Sequence, residues 1–512
     1  MALFSPLPNL ALDSNRQAAP KKNAYANCHH TIPPASELST IILGGGLAGL
    51  ASGYVLSEAG LKVTVFEGAP TVGGLSKTVS HNGFLFDLGG HRFLTNNKEI
   101  EKFVLRILQG EVLNVPRRSK IYLLNKYFDY PLKPINAFFG LGLGTTSKIV
   151  ADYCKERIKN TFSPPAIVSL EDWVVSQFGR KMFDIYFRDY SEKVWGINCQ
   201  QISQEWVAQR IQGLSLWAAV KNAFCKLSGK NLLTLSDDFF YPTMGIGQLS
   251  DRLQEGIENH NPVSTSTRIT AIRHDSARIT EVTAVNCHGQ KILTGDEFIS
   301  SIPLTQLVEL LDPPPPAEII NAARSLKYRD LIIVTLMLNR EQVTDLTWMY
   351  LPGKDIPFGR IHEPKNWSPR MAPPGQTHIV AEFFCFKDDA IWKETDERLQ
   401  AMTTEHLVKL GFINQDEVID CCILRLQKAY PIFEVGYQAH YDAIMKYLKE
   451  FANLQVVGRS GKFKYFNMDH AMESGIEAAN TIISKTVTTK HLREASRSDP
   501  RLSTNLASQI QS

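Results

Sequence analysis

The sequence predicts an α/β protein with α+β insertions. Three observations carry this: a strand, glycine loop, helix and strand in immediate succession over residues 40–67; period-two alternation over residues 268–303; and a short apolar strand followed by a helical pattern over residues 453–486. A chain of 512 residues exceeds what one simple core covers, so intertwined domains are expected.

Taken in order, residues 1–38 are polar and carry Pro6, Pro8, Pro20, Pro33 and Pro34, without the unbroken apolar core of a signal peptide, and read as a flexible leader. Residues 40–43, TIIL, then read as a short buried strand. Gly44, Gly46 and Gly49 form G-x-G-x-x-G, with Leu47 and Ala48 between the last two, and a helix over residues 47–58 ends at Gly60. "KVTVFE" is the next strand, closing on Glu67. In such a unit the first glycine permits the tight turn, the second lets a pyrophosphate approach the backbone, and the third lets helix pack on strand. The N–H groups and dipole of the helix start favour phosphate, and the acid accepts hydrogen bonds from a ribose. The unit is therefore Rossmann-like and suits a dinucleotide, NAD or FAD.

Residues 99–232 read as mainly helical with interleaved aromatics. Residues 268–303 read as a β-meander with a "CHGQ" turn, "DPPPP" as a rigid break, and "LIIVTLML" and "HIVAEFFCF" as strands of a mixed sheet. "NLQVVGRSG" reads as strand to loop and "DHAMESGIEAANTIIS" as a closing helix. The tail from about residue 487 is polar and expected to be mobile.

Lys+Arg is 55 and Asp+Glu 52, so a net charge of +3 gives no basis for a nucleic-acid or membrane partner. No apolar run reaches the roughly 18 residues of a span, so no stable membrane insertion is expected. Eight cysteines lie scattered without a CxxC pair or zinc spacing, which reads as free thiols in a reducing, cytoplasmic compartment and gives no metal site.

A second glycine pair, Gly73-Gly74, followed by Leu75, resembles the stretch that lies along FAD in flavoproteins of the amine-oxidase and glutathione-reductase superfamily. "FLFDLGGHRF" then resembles the segment bordering the isoalloxazine in UDP-galactopyranose mutases. "RRSKIYLLNKYFDYP", "DYSEKVWGINCQQISQEWVAQR", "FYPTMGIGQL", "TWMYLPGKDIPFGRIHEPKNWSP", "KAYP" and "GRSGKFKYFNMDHAMESGIEAA" follow in the order of the eukaryotic-type mutases, so the resemblance spans about residues 41–483. Amine oxidases and protoporphyrinogen oxidases usually carry an acid of an AGD motif where this chain has Gly458-Arg459.

The resemblance implies an FAD-binding domain made of residues 39–95, 241–303 and 453–486. It also implies a mainly helical domain at 96–240, a mixed-sheet substrate domain at 304–452, and a tail at 487–512. It implies that Gly90 and His91 lie against the flavin, with His91 near N5, and that Gly458, Met468 and Gly475 border the cofactor, Gly475 through backbone N–H groups. Arg360 and Arg459 would clamp a substrate diphosphate, and Tyr350, Tyr430 and Tyr465 would bond to it. Asn467 would hold substrate or loop, while Trp195 and Arg210 would shape the sugar and nucleotide end, with Tyr130 at the nucleotide. "YPL" departs from the family pattern, with Leu132 where a second aromatic stands, and Arg117 and Arg118 match the family arginine equally well.

Two functions follow as expectations. One is a mutase on a nucleotide-diphosphate or other diphosphate-linked sugar, working through reduced flavin with NAD(P)H as external reductant. The other is a conventional FAD oxidoreductase for an amine, tetrapyrrole or isoprenoid. A homo-oligomer is compatible with either. Read without the family, Asp87 is a turn residue with local backbone bonds, and Arg92 is an ion-pair partner. Trp195 and Trp206 serve a packed core as well as a sugar site.

Overall fold

The strand Ser39–Leu43 is buried from Thr40 onward because both its edges are taken: Lys62–Phe66 pairs on one side and Glu297–Ser300 on the other, both parallel to it. Leu454–Val456 and Val263–Ser264 complete a five-stranded, all-parallel sheet. The computed structural model describes residues 38–130, 141–206 and 238–498.

Helix Leu47–Glu58 is rich in Ala, Gly and Ser because it is enclosed. A Cβ on Gly49 would sit 2.1 Å from the Gly44 carbonyl oxygen, one on Gly53 about 3.0 Å from Ile257, and one on Gly475 2.2 Å from the Ala48 carbonyl oxygen. Helices Gly247–Glu258 and Met468–Ser498 pack against it at these points. Gly475 is thus the crossing point of two helices, where Ser52 Oγ donates to its carbonyl at 3.0 Å. The closing helix runs on to Ser498, past the expected boundary at 486.

Alternation predicts a meander, and three of its strands form one: Arg268–His274, Ile279–Asn286 and Gly289–Thr294, joined by Leu311–Asp312. The fourth, Glu297–Ser300, belongs instead to the parallel sheet. All four of its residues are buried, the signature of a strand covered on both faces.

The seven-stranded sheet runs in the order Val418–Pro431, Tyr328–Leu338, Thr377–Cys385, Arg360–His362, Trp348–Tyr350, Ser119–Leu123, Lys126–Tyr130. Its last two strands lie within the 96–240 segment expected to be mainly helical, as does Val112–Pro116, which pairs with Asp238–Pro242. The hairpin turns through Leu124 and Asn125 at φ 52° and 58°. Two consecutive residues of positive φ make the turn that matches strand twist, but Leu-Asn lacks the glycine that marks it in a sequence. Helices Lys98–Leu108, Leu143–Phe162, Leu170–Phe178 and Arg188–Trp195 supply the expected helical part. Among the described residues no helix is long and apolar enough to cross a membrane.

Candidate active site

A cavity of about 750 Å³ opens at the carboxyl ends of the parallel strands, where the loops after Leu43, Phe66, Ser300 and Val456 meet. Ligands of open α/β sheets bind at this edge. At one end Gly44 turns at φ +102°, and the backbone N–H groups of Gly45 and Ala69 each donate to a Glu67 carboxylate oxygen at 2.8 Å. Each oxygen keeps a lone pair for a ligand hydroxyl. The Gly73 N–H donates to the Gly45 carbonyl at 2.7 Å, which lays the second glycine loop over the first. A Cβ on Gly74 would lie 3.3 Å from Gly46 Cα, whereas one on Gly46 would meet nothing within 4 Å. The open space before Gly46 is bordered by Leu47, Ala48, Gly73 and Leu75 on the cavity wall. Gly49 lies behind it, packed on the strand.

The opposite end is built on strand Phe84–Asp87 and the turn that follows. Asp87 is buried and accepts from Thr78 Oγ1 at 2.6 Å, Tyr241 OH at 2.6 Å and the Ile246 N–H at 3.2 Å. Its role is structural, but through remote partners rather than local turn bonds, and burial pushes its carboxyl up to about 7. Gly89 at φ +114° then swings the chain so that the Gly90 N–H donates to Glu382 Oε1 at 3.2 Å. His91 lines the cavity; burial holds its imidazole down to about 4, and Nδ1 is buried without a protein partner. It is a neutral ring at physiological pH. Arg92 also lines the wall, its guanidinium 4.9 Å over the Trp348 ring.

Arg360 reaches the cavity from strand Arg360–His362, but its guanidinium is bound two-pronged by Glu382, with Nε 2.7 Å from Oε1. Burial opposes the charge on Arg360, yet the Glu382 carboxylate outweighs this and holds the group protonated well above its ordinary range. Arg459 is held differently. Its guanidinium lies 4.8 Å from the Tyr430 ring and 4.7 Å from the Tyr465 ring, and its buried Nε has no protein partner. Tyr350, Tyr430, Tyr465, Asn467, Met468 and Gly458 line the same wall.

The structure brings together most of the residues singled out from the sequence and leaves Gly49, Trp195, Tyr130 and Gly475 off the wall. Trp195 is buried behind Tyr465, edge-on at 6.1 Å, and 5.2 Å from Trp206. Tyr130 stands behind Tyr350 with ring centroids 4.9 Å apart. Gly475 is the helix crossing described above, and Arg210 lies outside the described residues, as does Leu132. Arg117, not Arg118, reaches the Tyr130 ring, at 5.9 Å; Arg118 pairs with Asp345 at 3.4 Å on the surface. Sequence reasoning missed Arg268, Trp348 and Lys428 on the wall and, behind it, Glu382, fully buried and joining the Gly90 loop to Arg360. Its signal was present: one carboxylate inside the apolar run "HIVAEFFCF", which must be paired if that strand is buried.

Residues 47–483 match the family model for flavin containing amine oxidoreductases, and the chain belongs to that family. It is 21% identical over 492 residues to protoporphyrinogen oxidase 2, chloroplastic/mitochondrial, of Arabidopsis thaliana, covering 89% of this chain and 96% of that one. The fold is shared with a crystal structure of reduced UDP-galactopyranose mutase, with a TM-score of 0.74 at 20% identity over 87% of this chain and 94% of that one. It is also shared with a putative protoporphyrinogen oxidase from Exiguobacterium sp. 255-15, with a TM-score of 0.68 at 18% identity over 88% and 100%.

The protein is thus an FAD-dependent enzyme of this family, and its residues fit the cofactor. The Gly46 loop leaves room for a pyrophosphate, Glu67 keeps acceptors for a ribose, and the unpartnered His91 Nδ1 and Trp348 Nε1 lie by the other end. Gly44, Gly46, Gly73 and Gly74 would hold the dinucleotide part, and Gly90 and His91 would meet the ring system.

Proposed function

We propose that this enzyme is a mutase that interconverts ring forms of a diphosphate-linked sugar, with FAD in its reduced state and NAD(P)H as the external reductant. The observation that supports this reading is the charge of the cavity wall. Among the described residues, Arg92, Arg268, Lys428 and Arg459 line it, with Arg360 held by Glu382 behind the wall, against one lining carboxylate, Glu67. FAD brings one diphosphate; a cavity so cationic suits a second anionic group, which an amine or isoprenoid donor lacks. Reduced flavin supplies a nucleophilic nitrogen, with no net redox change. The chain would supply position and charge: Arg459 and the tyrosines around it bind the departing diphosphate, Arg360 adds its free N–H edge, and neutral His91 offers a ring nitrogen without repelling the sugar.

A second reading, an FAD oxidoreductase, is favoured by the full-length match to protoporphyrinogen oxidase 2. Dithionite-reduced enzyme incubated with UDP-galactofuranose separates the two. Turnover only with reduced flavin supports the mutase; inactivity there, with oxygen-dependent peroxide release from an organic donor, supports the oxidoreductase. The diagnostic variant is Arg459→Lys, because Arg459 is stacked rather than ion-paired. A lysine keeps the charge but loses the planar fork, so UDP affinity should fall about tenfold with bound FAD retained. Loss of FAD instead would reassign Arg459 to the cofactor.

A further inference from the structure

Two wall residues, Tyr350 and Arg360, flank a loop of nine residues, 351–359, that forms no helix or strand. Leu351, Ile356 and Phe358 are buried in it, and one side chain gathers its backbone carbonyls. Lys193, on helix Arg188–Trp195, donates from Nζ to the carbonyls of Leu351 at 2.6 Å, Gly353 at 2.5 Å and Ile356 at 2.9 Å, with the Phe358 carbonyl at 3.5 Å. All three ammonium N–H groups are spent on backbone acceptors of this one loop. A lysine kept for packing buries its stem and leaves its head in water; here the head is turned inward, which is costly unless it is fully bonded.

The helix makes two further contacts with the same region. Asp189 pairs with Lys354 at 3.2 Å, and the Tyr190 ring lies 5.4 Å from the Tyr350 ring. Its own end is fastened by buried Arg329, which donates to the Val194 carbonyl at 3.1 Å, the Lys193 carbonyl at 3.2 Å and the Phe384 carbonyl at 2.8 Å. That last bond ties the helix to the strand carrying Glu382.

We infer that Lys193 is a positioning residue: it clamps the 351–359 loop, and through it sets where Tyr350 and Arg360 stand on the cavity wall. The consequence for binding rests on the reading of that wall as the diphosphate site; the clamp itself does not.

Burial pushes the Lys193 ammonium down to about 8, opposed by Asp355 and Asp189. The other charged or titratable groups around it are Glu192, Lys354, Arg329 and His406, whose Nε2 is 3.2 Å from the Asp355 carbonyl. An opening that released Lys193 to water would restore its ordinary 10.5, so rising pH does not favour opening of the loop. Global stability is not lost by this titration. The unfolded lysine, at its ordinary 10.5, binds more protons than the folded one between about 8 and 10.5, and stability rises with pH there. The clamp is therefore exposed by removing the ammonium rather than by titrating it.

The test is hydrogen exchange at pH 7 on the FAD-loaded full chain, wild type against Lys193→Met and Lys193→Arg, with UDP binding measured on each. Lys193→Met should lose about tenfold protection in residues 351–359 and several-fold UDP affinity, with protection elsewhere in the fold kept. Lys193→Arg, which keeps charge and donors, should recover part of both. Unchanged exchange in Lys193→Met, or a loss spread evenly over the fold, overturns the clamp. Should Lys193→Met not fold, Lys193→Gln takes its place with the same readouts. A loss confined to the loop in a protein whose wild type never binds UDP upholds the clamp and sinks the diphosphate reading instead.

Discussion

Asp87→Asn tests whether the acid beneath the GGH turn is held protonated by burial. The carboxyl is 1% exposed and moves from an ordinary 3.8 to about 7, because burial outweighs the bonds from Thr78, Tyr241 and Ile246. That gap corresponds to about 4 kcal/mol at most. Between these values the folded chain binds the proton that the unfolded chain has released. Stability from this group is therefore full near pH 4 and is lost as pH rises through about 7. Integrated from pH 5 to 8 the loss is about 2.5 kcal/mol. Asparagine fits the same space: its oxygen accepts from Thr78 and Ile246, and its amide can donate to Tyr241 OH, which rotates to accept. Urea unfolding of wild type and variant at pH 5, 6, 7 and 8, with FAD in excess, measures the difference. The variant should gain on wild type by about 2.5 kcal/mol across the series. A pH-independent difference would show that Asp87 ionises normally in the fold, and the argument from burial would be wrong.

Gly46→Ala should fold with unchanged apoprotein stability and bind FAD at least about tenfold more weakly, because its Cβ meets no protein atom and enters the space before the glycine loop. Gly49→Ala and Gly475→Ala should instead lose stability before FAD is added, since each Cβ would fall near 2 Å from a carbonyl oxygen, at 2.1 and 2.2 Å; equal apoprotein melting of all three would refute the distinction. Glu382→Ala leaves Arg360 buried without its counter-charge and the Gly90 N–H without its acceptor, so a loss of about 3–5 kcal/mol in denaturant unfolding is expected. Replacing both partners by Met should recover part of it; a double variant no better than the single would argue against an uncompensated charge as the cause.

Local pattern alone determined the nucleotide half of this protein. Residues 40–67 carry their strand, turn, helix and closing acid in one stretch, and each of those features depends on neighbours in sequence, so they can be read in order. The glycines were legible for the same reason, since a turn or a close approach demands them wherever it occurs. The helix–helix contact of Gly475 was not, because its partner, Ala48, is over 400 positions away. Strand Glu297–Ser300 reads as a fourth meander strand until the parallel sheet claims it, and the hairpin at Leu124-Asn125 hides because its turn lacks glycine. The cavity wall shows the same division. Arg360, Arg459 and the tyrosines were visible as residue types that suit an anion, yet only the tertiary structure locks one arginine to Glu382 and stacks the other between two rings. Charge and shape at a site come from side chains brought together across the fold, whereas sequence pattern reports periodicity and turns within a few residues of each other.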